Sequence, residues 1–305
     1  MTRVGLVGPG GIGLFFGGHL EAAGRRVEVA SRQPFERYVI MSDEYPVDIP
    51  AVVYTDPEMS PQGPMDVVLV TVKLHQIAST RPWLQRWCGP KTVVVSLQNG
   101  LDGEDLIAAV SPAGVFVPSI VYCAIERLDI GVARHDAQAR LILPPGQSSE
   151  IIARLYAKTP IDVAIRSSFV TDRWRKLGLN VVSNGLTALT DRSTEVLSTS
   201  AIRQVMHDLL QESWAVASAC GADLGPGDVQ DFIRGLDAMP PDVVPSMLQD
   251  RREGRMLEHD GLYGAVRRAG ERVGVKTPTV NTVDRLLAGL SGGANGSSTD
   301  STGRS

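Results

Sequence analysis

The chain has 305 residues, a formal net charge of −4, 43% hydrophobic residues and 21% charged ones. That length predicts two domains, and the composition argues against intrinsic disorder, a fixed-period repeat and a basic protein built for nucleic acid or a membrane surface. No run reaches the roughly 18 apolar residues of a membrane span, Thr2-Arg3 does not read as a leader, and Cys88, Cys123 and Cys220 suit neither a disulfide framework nor a metal cluster but a reducing cytoplasm.

Apolar, β-type runs fall at Val4–Val7, Val27–Ala30, 67–72, 92–97, 115–122 and Asp162–Ile165, separated by helical or loop segments. This alternation predicts a parallel sheet with crossover helices, and residues 131–145 are candidate antiparallel edge strands. From about residue 168 the β-branched runs give way to helical patterns at 171–190, 197–221, 226–238, 254–273 and 279–290. Three prolines make 239–245 a loop. The expected organisation is an α/β dinucleotide-binding domain over 1–167, an all-α domain over 168–290 and a disordered Gly/Ser-rich tail over 291–305.

The first run opens the sequence Gly8-Pro-Gly10-Gly11-Ile12-Gly13. A G-x-G-x-x-G between a strand and a helix is a dinucleotide-binding fingerprint: Gly8 for the tight turn, Gly10 for approach of the backbone to a pyrophosphate, Gly13 for helix–strand packing. The helix N-terminus then presents free N–H groups to phosphate, although Pro9 removes one donor. The second run ends in Ser31-Arg32, where an NAD site normally carries an acid for the ribose hydroxyl. Arg32 can hold a 2′-phosphate instead, and Ser31 can add a hydrogen bond, so NADP(H) is the expected cofactor. An ordinary surface arginine is the plainer alternative. Lys73 and Asn99 follow the third and fourth runs, where ligands of open α/β sheets bind. Alone, each also reads as an unremarkable surface lysine and an Asn-Gly turn.

Lysine is scarce: Lys73, Lys91, Lys158, Lys176 and Lys276 are the five in the chain. Lys176, Asn180 and Asn184 share one face of a helix whose other faces are apolar. A solvated stripe in this Arg-rich chain would carry Arg, Glu or Asp, and Asn is a poor helix former. The pattern points to a semi-buried polar surface, with a solvated stripe as the alternative. Downstream, Ser246-Met-Leu-Gln-Asp250 and Glu258 form a third polar group, with Ser246 a plausible helix cap.

In order and spacing these pieces resemble the ketopantoate reductase (2-dehydropantoate 2-reductase) family over residues 1–290. The resemblance implies a Rossmann domain followed by an all-α domain, with the active site in the interdomain cleft. It implies a cytoplasmic oxidoreductase, monomer or homodimer, reducing 2-dehydropantoate to pantoate with NADPH on the route to pantothenate and coenzyme A. Lys176 takes the place of the general acid and Glu258 that of the acid orienting it. Asn99, Asn180, Asn184 and Ser246 match the groups that bind the small 2-keto acid. Gly8, Gly10, Gly11, Ile12, Gly13, Ser31, Arg32, Lys73, Asn99 and Glu258 match the cofactor side. No metal, nucleic acid or membrane is implied. The chain departs from the family pattern at His259, at Leu262-Tyr263-Gly264, at 118–123 and at 33–50. Tyr263 and 118–123 are read as able to change pocket size, which leaves open another 2-keto acid on the same scaffold, or a non-catalytic NADPH sensor.

Overall fold

The computed structural model describes residues 2–293. Their contacts divide into two units after Phe169. In the first, β1 (Val4–Val7), α1 (Gly11–Ala22) and β2 (Val27–Ala30) are followed by β3 (Arg37–Met41), β4 (Val47–Pro50) and β5 (Val52–Tyr54). Then come β6 (Val67–Val70), α2 (Arg81–Trp87), β7 (Val93–Ser96), α3 (Gly103–Ala108) and β8 (Val115–Pro118). Six strands form a parallel sheet in the order β5-β2-β1-β6-β7-β8. Counted along the chain this is 3-2-1-4-5-6, the Rossmann arrangement, and the order reverses between β1 and β6.

The central strands are buried on both faces, which is why they read as unbroken apolar runs. Val4, Leu6, Val67, Leu69, Val93 and Val95 join Leu14, Phe15, Phe16 and Leu20 of α1 in one core. Val7, Val68, Val70 and Val94 join Leu84 and Trp87 of α2 and Ile107 of α3 in another. Each such side chain contributes roughly 1.5–3 kcal/mol by leaving water.

A second sheet covers the other side of α1. It is built from β9 (Ile120–Asp129), β10 (Val132–Leu143) and, after α4 (Gln147–Tyr156), β11 (Asp162–Ile165), in the order β11-β10-β3-β4 with β9 antiparallel on β10. Tyr38, Ile40, Leu141 and Leu143 from this sheet share the core of Phe15 and Phe16. The run 115–122 is therefore not one strand. It breaks at Ser119, whose hydroxyl donates to the Ser96 carbonyl at 2.6 Å, and the chain passes from the first sheet to the second. Asp162–Ile165 likewise belongs to the second sheet, and β3, β4 and β5 lie in a stretch the apolar pattern leaves blank.

The second unit is helical: α5 (Phe169–Thr190), a 3-10 turn at Thr194–Ser198, α6 (Ser200–Ala219), α7 (Val229–Leu236), α8 (Ser246–Arg252), α9 (Ala265–Val273) and α10 (Pro278–Gly293). α5 and α6 meet at Gly178, where any Cβ would overlap the buried indole of Trp214. The proline-rich loop is pinned by Thr194 N–H to the Val243 carbonyl at 3.0 Å and Glu195 N–H to the Pro241 carbonyl at 2.7 Å. Two expectations change. The helix predicted over 254–273 begins only at His259, preceded by irregular backbone at 255–258, and residues Asp260–Gly264 wind as a π-helix. Residues 291–293 of the predicted tail continue α10, and the rest of it lies outside the described residues. Among the described residues no helix is long and apolar enough to cross a membrane, and no His/Cys/Asp/Glu group is arranged to hold a metal.

Candidate active site

The glycine loop lies where the parallel sheet reverses order. Gly8 has φ +96°, and a Cβ there would collide with Val72, including its backbone nitrogen at 2.9 Å. A Cβ at Gly13 would strike the Gly8 carbonyl and come within 2.6 Å of Thr71 Oγ1. The protein's own packing thus demands glycine at both. Gly10 is different: a Cβ there meets nothing within 4 Å. Gly10 is the residue before α1, with no side-chain cap and no acid in the first helical turn. No acid of the first helical turn competes for the positive end of that helix and its unbonded amides. Gly11 and Ile12 form the first helical turn with Gly13.

Thr71 completes the loop from the end of β6. Its hydroxyl donates to the Gly8 carbonyl and lies 3.2 Å from the Val7 carbonyl. Sequence reasoning passed over this residue, although a hydroxyl two places before Lys73 is a readable signal. Lys73, half-buried, precedes the 3-10 segment Leu74–Thr80. After β7, Gln98 spans two strand ends: its Nε2 donates to the carbonyls of Val70 at 2.9 Å and Val72 at 3.0 Å, and its Oε1 accepts from Ser96 Oγ at 2.6 Å. Asn99 beside it is exposed, and Gly100 has φ +98°. At the end of β2, the Ser31 hydroxyl is engaged in its own turn, donating to the Gln33 carbonyl at 2.7 Å and accepting from Gln33 N–H at 3.3 Å. Arg32 is exposed and makes no ion pair with any described residue.

In the second unit, α5 buries a polar stripe. Asn180 and Asn184 are 5% and 6% exposed, and Lys176, one turn earlier on the same face, is half-buried. Asn184 Nδ2 donates to Asn180 Oδ1 at 3.3 Å. Asn184 Oδ1 accepts from both Ser246 Oγ and Met247 N–H at 3.1 Å. Asn184 therefore caps α8 while Ser246, expected as the cap, is the first residue of that helix. Arg251 donates to the Ala188 carbonyl, and Arg252 Nε meets Asp191 Oδ1 at 3.0 Å, so α8 is tied to the far end of α5 as well. Asn180, Asn184 and Ser246 are thus brought together in one hydrogen-bonded chain. Buried asparagines would be destabilising without such partners.

Glu258 is half-buried in the last irregular residue before the helix that opens with the π segment. Short π segments are uncommon and cluster at functional sites. Tyr263, read from the sequence as able to change pocket size, is fully buried. Its hydroxyl donates to the Val181 carbonyl of α5, over a space that a Cβ at Gly185 would fill. Burial, with the Asp284 charge in the same sense, pushes this phenol well above its ordinary pKa, so it stays a donor.

This geometry can be set beside known proteins. The family model described as "Ketopantoate reductase PanE/ApbA" matches residues 4–148, and that described as its C terminal matches 168–291. A 2-dehydropantoate 2-reductase of Mycobacterium tuberculosis is 32% identical over 293 residues, covering 96% of this chain and 99% of its own. The crystal structure of a PanE/ApbA family ketopantoate reductase from Ralstonia eutropha JMP134 superposes with a TM-score of 0.86 at 26% identity, covering 96% of this chain and 99% of that one. D-mandelate dehydrogenase, solved with NADH and anilino(oxo)acetate, shares the fold at a TM-score of 0.84 and 20% identity, covering 96% and 99%. Matched over both of its units and along nearly its whole length, the chain belongs to the ketopantoate reductase family.

Proposed function

We propose that the protein reduces 2-dehydropantoate to pantoate with NADPH, in the cytoplasm, on the route to pantothenate and coenzyme A. The observation that carries this reading is the buried polar stripe of α5, Lys176-Asn180-Asn184, joined to Ser246 in a member of this family. The loop residues suit a nicotinamide dinucleotide: the open space at Gly10 leaves room for a pyrophosphate, and Arg32 is a cation without an acid beside it. Gly8 to Gly13 would hold the pyrophosphate, Arg32 the 2′-phosphate, and Lys73 and Asn99 the neighbouring cofactor groups. When bound, the reduced nicotinamide supplies the hydride that C2 of the keto acid receives.

The chain's own residues do the rest. Negative charge develops on the C2 oxygen as the carbonyl is reduced. Lys176 Nζ stabilises that charge and delivers the proton, leaving a 2-hydroxy acid. Glu258 orients Lys176 and the substrate hydroxyl. Asn99, Asn180, Asn184 and Ser246 bind the keto acid and fix its carbonyl, which lowers the entropic part of the barrier.

The test is loss of NADPH absorbance with 2-dehydropantoate, run beside NADH and beside a panel of other 2-keto acids. Turnover of 2-dehydropantoate that prefers NADPH is the expected result. Activity confined to another keto acid would keep the chemistry and change the substrate. NADPH binding with no turnover on any of them would make the protein a sensor.

A further inference from the structure

The turn that carries Glu258 departs from the ordinary in two ways. It begins in irregular backbone at 255–258 and continues into the π-helix Asp260–Gly264. A π segment is rare, so what surrounds this one bears on how its turn is held. Those surroundings are visible. Leu257 N–H donates to Ser291 Oγ of α10 at 3.1 Å, and His259 Nδ1 lies 2.6 Å from Asp284 Oδ1 of the same helix. Arg268 holds Asp260 through both its carboxylate, at 2.7 Å, and its carbonyl, at 2.9 Å. Both neighbours of Glu258 are thereby fixed to α10. One tie to α5 is Tyr263, whose hydroxyl donates to the Val181 carbonyl, next in sequence to Asn180.

Phenylalanine would fill the same buried seat apart from the oxygen, and a buried hydroxyl must find a partner or destabilise the fold. The seat itself is shaped for the phenol: Gly185, one turn beyond Val181, leaves the space its oxygen occupies. We propose that Tyr263 is a positioning residue: its hydroxyl, seated over Gly185 and bonded to the Val181 carbonyl, sets the Glu258 turn against the α5 face that carries Lys176 and Asn180. The inference rests on the role assigned above to Glu258 and Lys176.

The experiment is a double-mutant cycle of Tyr263→Phe with Glu258→Gln, reading kcat, KM and Tm. Tyr263→Phe should lower kcat about tenfold while Tm falls by only a few degrees. In the Glu258→Gln background the same change should lower kcat less than about twofold, because the group being positioned is already gone. Where Glu258→Gln turns over too slowly to measure, the cycle is read on the dissociation constant of 2-dehydropantoate from the complex with oxidised cofactor. A lowered Tm with unchanged kcat, or equal losses in both backgrounds, would overturn the proposal. A second pair covers misfolding of the first. Gly185→Ala, which expels the phenol, should reproduce the loss of kcat, and Gly185→Ala with Tyr263→Leu should regain Tm but not kcat; recovery of both would also overturn it. Lys176→Ala separates the two readings: if that variant keeps turning over, the site assignment fails, whereas an inactive Lys176→Ala beside a fully active Tyr263→Phe sinks the tether alone.

Discussion

Under the proposed function the two units prepare for chemistry with different materials. In the first, the prepared feature is backbone: Gly8 at φ +96°, Gly13 against the Gly8 carbonyl, and Gly10 left open in front of α1. In the second it is side chains on a long helix, with Asn180, Asn184 and Ser246 joined by hydrogen bonds. A pyrophosphate is recognised by amides and a helix dipole, which any chain can present if the Cβ atoms are absent. A developing alkoxide needs a proton and a cation at one place, which only a particular side chain supplies. The first kind of preparation leaves a local motif; the second leaves residues scattered from 176 to 258.

The comparison can be broken at its strongest point by Lys176→Ala. If the α5 stripe does the chemistry, turnover should fall by about 10²–10⁴ while NADPH titration stays near wild type. Near-normal turnover would remove the distinction between the units. A subtler contrast lies inside the glycine loop. Gly8→Ala forces a positive φ and a clash with Val72, so it should cost about 2 kcal/mol or more of stability, seen in Tm and in lost cofactor binding. Gly10→Ala meets nothing in the protein and should leave Tm unchanged while weakening NADPH. Equal Tm losses for both would mean Gly10 is structural after all.

Arg32→Asp sharpens the cofactor half. The NADPH-to-NADH preference in kcat/KM should drop by about one to two orders of magnitude, with kcat little changed. An unaltered ratio would return Arg32 to the surface. In the helical unit, Asn184→Ala removes the acceptor for Met247 N–H and should cost about 1–2 kcal/mol in denaturant unfolding.

A further contrast concerns pH and the first unit alone. His19 is 4% exposed, Nε2 has no hydrogen-bond partner among the described residues, and burial, aided by His135, lowers its pKa from 6.5 to about 4. The unfolded chain takes up that proton below about 6.5, the folded chain only near 4. Stability from this group is therefore complete above pH 6.5 and declines as pH falls toward 4. Replacing His19 with Phe should flatten the Tm-versus-pH curve in that window; an unchanged slope would assign the acid sensitivity elsewhere.

The central strands and their helices were readable because burial on both faces leaves a run of apolar residues with no register to misjudge. β1, β2 and β11 fall where their runs fall. The second sheet was readable only at β10 and β11, because β3 and β4 are short and half-exposed, as is β5 at the edge of the first sheet, and because nothing local marks Ser119 as the point where the chain changes sheets. The Lys176-Asn180-Asn184 stripe was visible as a pattern out of character with its helix. Its partners were not: Ser246 meets Asn184 across 62 positions, and Tyr263 meets Val181 across 82.

By itself the sequence determined where glycine sits before a helix, which strands are buried, and which polar residues share a helix face, since each depends on neighbours a few positions away. Only the tertiary structure decided that Gly10 alone in the loop has room beside it, that Asn184 caps α8, and that Tyr263 is lodged inside the helical unit. Those facts depend on contacts between segments far apart in the chain, and no local preference encodes them.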